Sequence, residues 1–162
     1  VDYNEIYTKR NLLPGVVSGL KYLLESNQVD FIVACSHFTG EREAVSKIRL
    51  FKEELPFVLM LPESLLKFHT EPSQMGKRRA RSSKNLRIDE IIVKISKAFG
   101  IDSEIIEAML VDDSMPNLEG LVGKTPILFR EIKEHEPPIS LNVVRLPSWA
   151  NENLVGFVSS FN

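Results

Sequence analysis

Apolar residues recur along this chain in two alternating rhythms. Val16, Leu20, Leu23 and Leu24 fall at helical offsets behind Leu12-Leu13-Pro14-Gly15, with Pro14 suited to a first helical turn. A helix is therefore predicted down to about Ser26. Asn27-Gln28 connects it to Val29–Cys35, a β-rich apolar run ending in Ser36-His37, the pattern of a strand covered on both faces. Thr39-Gly40-Glu41 opens a second helix through Ala44, Val45, Ile48 and Phe51, and Phe57–Leu61 reads as a second strand. From Pro62 to Ser83 the pattern dissolves into a polar excursion with a basic cluster. Helical period returns over residues 84–99 through Leu86, Ile88, Ile91, Ile92, Ile95 and Phe99, with Lys84 opening the helix and Gly100 as its C-cap. Asp102-Ser103-Glu104 begins a short helix, followed by a strand at Ala108–Val111, a turn into Leu118–Val122 and a strand at Pro126–Phe129. Ile139–Leu146 is expected as an edge strand and Trp149–Phe161 as a short closing helix or strand. Residues 1–11 are polar and predict no element.

Strand and helix alternating over short connections predict an α/β fold: a Rossmann-like three-layer sandwich around a central parallel sheet. At 162 residues the chain is expected to be one domain, burying roughly two-thirds of its unfolded surface. Within 1–162, residues 62–83 read as a polar basic loop insertion and 131–162 as a C-terminal extension. The insertion is too short for a full cap domain, which predicts an open site.

A net charge of −2 with 26% charged residues argues against a nucleic-acid binder that works by bulk charge. The single cysteine, Cys35, lies in the apolar run FIVACS and is expected to be a buried small hydrophobe. With no internal disulfide available, a cytoplasmic or other reducing compartment fits. No stretch reads as a membrane span, and no signal peptide is visible.

Chemistry concentrates at Glu107–Glu119, EAMLVDDSMPNLE, where an apolar run delivers Asp112 and Asp113 to a strand end. Two adjacent acids there repel each other and cost desolvation, so a cation is needed to offset them. Mg²⁺ is the candidate, since it takes one or two carboxylates with phosphate oxygens and water. The plainer alternative is a helix N-cap by Asp113 or Ser114. In an open parallel sheet, function gathers outside the carboxyl ends of the strands. Ser36 ends the first strand, Lys84 stands between the strands, and Asp2 and Asn4 would join them if a strand precedes residue 1. Acid, hydroxyl, ammonium and acidic pair are the groups that phosphoryl transfer uses.

On those residues the chain resembles the haloacid-dehalogenase (HAD) superfamily of phosphatases over about residues 1–130. FIVACS with Ser36 is similar to its second motif, Lys84 in KNLRIDEII to its third, and MLVDDSMPNLEGL with Asn117 to its fourth. LPGVVSGLKYL looks like the helix after the first motif. The first motif itself, hydrophobic strand then Asp-x-Asp-x-Thr/Val, is met only by VDYNEIY. In one register Asp2 is the nucleophile and Asn4 replaces the general acid. In the other, an Asp directly ahead of Val1 is the nucleophile and Asp2 the acid/base, as in small magnesium-dependent phosphatases with a DxDYT first motif.

The resemblance implies a Mg²⁺-dependent phosphatase acting through an aspartyl phosphate. Asp2, Ser36 and Lys84 would be catalytic, and Ser36, His37, Lys84 and Asn4 would bind substrate. Asp112, Asp113 and Asp2 would hold the metal, with Asp112 the better ligand. Its partner would be a phosphorylated substrate: a small molecule, a phosphoprotein or a lipid head group. The alternative is a catalytically inactive HAD-like binding or scaffold domain. Lys77, Arg78, Arg79 and Arg81 read as a solvated run, or as a local potential drawing a polyanionic substrate to the site. His37 is expected at the site rim, and Trp149 and Phe157 in packing.

Overall fold

The computed structural model describes residues 7–8, 11–67, 77–131 and 142–161. A two-residue hairpin of β1 (Tyr7–Thr8) and β2 (Asn11–Leu12), where no element was expected, precedes α1 (Val16–Glu25). There follow β3 (Ser36–Phe38), α2 (Glu41–Glu54), β4 (Leu65–Lys67), α3 (Lys77–Phe99), β5 (Met109–Asp112), α4 (Met115–Glu119), β6 (Thr125–Phe129), β7 (Val144–Leu146) and α5 (Asn151–Ser159).

The sheets are parallel. β3 pairs with β4, placing Ser36 opposite Leu65, and β6 lies between β5 and β7, with Asp112 opposite Leu128. Among the described residues no ladder joins the two sheets. They nevertheless share two cores, because side chains alternate across a strand. Ile32, Ala34, Ile127 and Leu146 enter one cluster, with Val16, Leu20 and Leu23 of α1, Leu50 and Phe51 of α2, and Leu154 and Phe157 of α5. Cys35, Leu66, Leu110 and Leu128 enter the other, with Ile88 of α3 and Leu118 of α4. The result is a mixed α/β arrangement with helices against both faces of parallel sheets, compatible with a Rossmann-like fold. No helix among the described residues is long and apolar enough to cross a membrane.

Several boundaries differ from the sequence expectation. The runs Val29–Cys35 and Phe57–Leu61 meet at a single bridge, Val33 to Leu59, and the regular ladder starts later, at Ser36 and Leu65. A 3-10 turn, Pro62–Ser64, separates the two stretches; the Ser64 hydroxyl accepts the Leu61 amide at 3.0 Å, and Pro62 has no N–H to offer a ladder. Ser36 therefore begins β3 instead of ending it. The excursion 62–83 is not one loop: it holds that turn, β4 and the first third of α3, while 68–76 lie outside the described residues. Lys84 accordingly sits within α3, seven residues past its start at Lys77. The edge strand narrows to Val144–Leu146, parallel to β6, and the closing element is the helix α5.

Candidate functional site

β5 sets the site through its two-residue period. Leu110 and Asp112 point to the face covered by α3 and α4, Val111 points to the opposite core, and Asp113 emerges exposed. Asp112 is thereby fully buried. A buried carboxylate is costly unless paired and hydrogen-bonded, and here three donors meet it. Lys84 Nζ approaches Oδ2 at 2.5 Å, Asn117 Nδ2 donates to the same oxygen at 3.0 Å, and the Ser114 amide donates to Oδ1 at 2.7 Å. The last bond is the local turn in which an Asp side chain accepts the amide two residues on.

Each donor is placed by simple local rules. In α3, Lys84, Ile88, Ile91 and Ile95 are all buried, at spacings of four, three and four residues. Lys84 thus lies on the helix's apolar stripe, one turn ahead of Ile88. Leu86 and Phe99, expected on that stripe, lie off it at 58% and 53% exposure. In α4, Pro116 pre-sets the first turn, and Asn117 faces back toward the strand end it has just left. Ser114 is the N-cap residue of α4 and makes no side-chain cap bond. Asn117 Oδ1 is buried without a hydrogen-bond partner.

A second polar group stands at β3. Ser36 is fully buried, and Lys47 of α2, at 6% exposure, donates from Nζ to Ser36 Oγ at 3.0 Å and to the His37 carbonyl at 2.5 Å. Glu43, one turn earlier, pairs with Lys47 at 3.1 Å and accepts from the Thr39 hydroxyl and amide. The Thr39 hydroxyl, more than any other group, holds the Glu43 carboxyl below its usual range, with the Thr39 amide and Lys47 adding to it against a burial effect that raises it.

The structure brings Lys84 and Asp112 together and adds Asn117 to them. Ser36 and His37 lie in the group built around Lys47. The strands carrying the two groups meet in one core, where Cys35, just before Ser36, clusters with Leu110, two residues before Asp112. His37, expected at a rim, is 9% exposed, since β3 continues past it and pairs it with Leu66. Asp2 and Asn4 lie outside the described residues. Lys47 was missed by motif reading. Its signal was positional: with Leu50 and Phe51 it forms the buried side of α2, one turn ahead of the apolar residues, as Lys84 does in α3.

No family model, curated protein or solved structure matches the chain.

Among the described residues, no three His, Cys, Asp or Glu side chains gather in one place. The oxygens that suit a hard cation are the exposed carboxylate of Asp113 and the unpartnered Asn117 Oδ1. Asp112 is engaged by three donors, while the Asp113 side chain is exposed and has interactions of its own.

Proposed function

We propose that this protein is a HAD-like phosphatase, hydrolysing a phosphomonoester through an aspartyl phosphate with Mg²⁺ as cofactor. One observation carries the reading: at the carboxyl end of a parallel strand, Asp112 is held by Lys84 and Asn117 while its neighbour Asp113 stays exposed. Ser36, held by Lys47 on another parallel strand, supports it.

The chain's own residues divide the work as follows. Asp2, from the first motif, is the candidate nucleophile or acid/base: attack by a carboxylate oxygen on phosphorus expels the alcohol, and water then cleaves the acyl phosphate. Ser36 donates its hydroxyl to a phosphoryl oxygen, where charge must be stabilised. Lys84 contributes positive potential and fixes the Asp112 turn, which in turn sets the place of Asp113. Asp113 and Asp2 would hold Mg²⁺, which would supply charge neutralisation at the phosphoryl group.

A second reading, an inactive binding or scaffold domain on the same fold, is favoured by the saturation of Asp112. The two readings separate on hydrolysis of 4-nitrophenyl phosphate with Mg²⁺. Turnover that disappears in Asp113→Asn supports the enzyme. Absence of turnover in the full-length protein, with this and with a panel of phosphoesters, leaves the binding domain.

A further inference from the structure

We infer that the first turns of α3 form a docking strip for an acidic segment of a partner protein, beside the Asp113 turn. The strip serves a phosphatase and an inactive binding domain alike. Charge is divided unevenly along the chain. From Pro72 to Ile88 the basic residues are Lys77, Arg78, Arg79, Arg81, Lys84 and Arg87, and there is no acid. Six of the chain's 20 Lys and Arg and none of its 22 Asp and Glu fall there, so the remainder carries −8. A positive block on an otherwise negative protein suits a selective charged contact and not a general affinity for polyanions.

The backbone decides where that block stands. α3 runs unbroken from Lys77 to Phe99. Lys84 meets Asp112, the last residue of β5, while Ile88 clusters with Leu110, two residues earlier in the strand. α3 therefore runs against the direction of β5, and the residues ahead of Lys84 continue past the strand's carboxyl end, where the Asp113 turn lies. At 1.5 Å per residue, Lys77 stands about 10 Å beyond Lys84. Steps of about 100° per residue put positions 77 and 81 on the same side of the helix as position 84, with 78 and 79 further round. The four positions cover more than half the circumference, so one packed face cannot take them all. A strip of about 10 Å matches about three residues of an extended peptide, and arginine can pair a carboxylate through two bonds at once. A nucleic acid or an anionic membrane would carry its charge on beyond the strip, against a protein that is negative elsewhere. A short acidic segment fits within it.

Fluorescence anisotropy on the full-length protein tests this, with a labelled peptide rich in Asp and Glu and its Asn/Gln counterpart. At low salt the acidic peptide is expected to bind about tenfold more tightly than the neutral one, the scale of a few exposed charge contacts. At about 1 M salt the two should bind alike. Combining Arg78→Gln, Arg79→Gln and Arg81→Gln should remove the tenfold difference, and glutamine forms helix about as well as arginine. Circular dichroism checks that the helix content is kept. If the triple variant does not fold, Arg79→Glu, at the position furthest round from Lys84, takes its place and should weaken the acidic peptide by about threefold. Equal binding of the two peptides by the wild type overturns the inference, and so does a preference that survives the substitutions. Tighter binding of a single-stranded oligonucleotide, or of vesicles containing phosphatidylserine, than of the acidic peptide also overturns it and assigns the strip to a nucleic acid or a membrane.

Discussion

Lys84 and Asp112 lie 28 residues apart in the chain and meet at 2.5 Å with neither side chain exposed. A buried ion pair of this kind contributes little net stability over an apolar replacement of the same size, but breaking it by removing one partner is expensive. Lys84→Met is expected to cost about 3–5 kcal/mol in urea unfolding, because it strands the carboxylate. Replacing both, as in Lys84→Met with Asp112→Leu, should recover most of that loss. Equal losses in the single and the double variant would show that Asp112 bears no penalty when left alone.

The two acids of the turn should separate experimentally. Asp113 is exposed, so Asp113→Asn is expected to change stability by less than about 0.5 kcal/mol. It should also abolish any rise in melting temperature on adding Mg²⁺. Asp112→Asn should lower the melting temperature with or without the ion, since it removes the anion that three donors surround. A Mg²⁺ response that survives Asp113→Asn and vanishes only in Asp112→Asn would restore Asp112 as the ligand.

Acid should loosen the α2 end of the site through Glu43. Its carboxyl titrates below the ordinary value of 4.5, chiefly because the Thr39 hydroxyl donates to it. A carboxyl whose folded-state pKa is depressed stabilises the fold above its unfolded pKa and loses that contribution as pH falls through the folded one. Between pH 6 and pH 3 the urea midpoint of the wild type should therefore fall more than that of Glu43→Gln. The difference is expected to be small, since the Glu43 side chain is 41% exposed. Identical pH slopes would mean that the Thr39 bonds are not kept in solution.

Gly15 offers a test of how α1 is seated. It enters the helix at φ 79°, and an added Cβ would meet the Trp149 carbonyl oxygen at 3.0 Å. Gly15→Ala is expected to destabilise by about 1–2 kcal/mol from the left-handed backbone alone. A melting temperature equal to that of the wild type would mean that the turn has another conformation.

Much of the order of elements was readable from apolar spacing. α1, α2, β5 and β6 each carry their own period, and the fold keeps them within a few residues of the expectation. β4 was not readable, because Leu65–Lys67 is only three residues long and becomes a strand by pairing with β3. The start of α3 was missed for a similar reason: Lys77–Ser83 is charged and polar, with ordinary helix formers but no apolar stripe of its own. The site was read in pieces. Lys84 and the acidic pair stood out by residue type and order, and Lys47 did not, since a lone lysine in a polar helix resembles any solvated one.

By itself, the sequence determined that two acids follow an apolar run and that a turn and short helix come after them. Strand alternation further required one of the two acids to share the face of Leu110. What only the tertiary structure decided was that this face is the one roofed by α3 and α4, so that Asp112 is the buried acid and Asp113 the exposed one. Burying a carboxylate is costly unless it is paired and hydrogen-bonded, and the cation that pairs Asp112 comes from the buried face of α3, at Lys84.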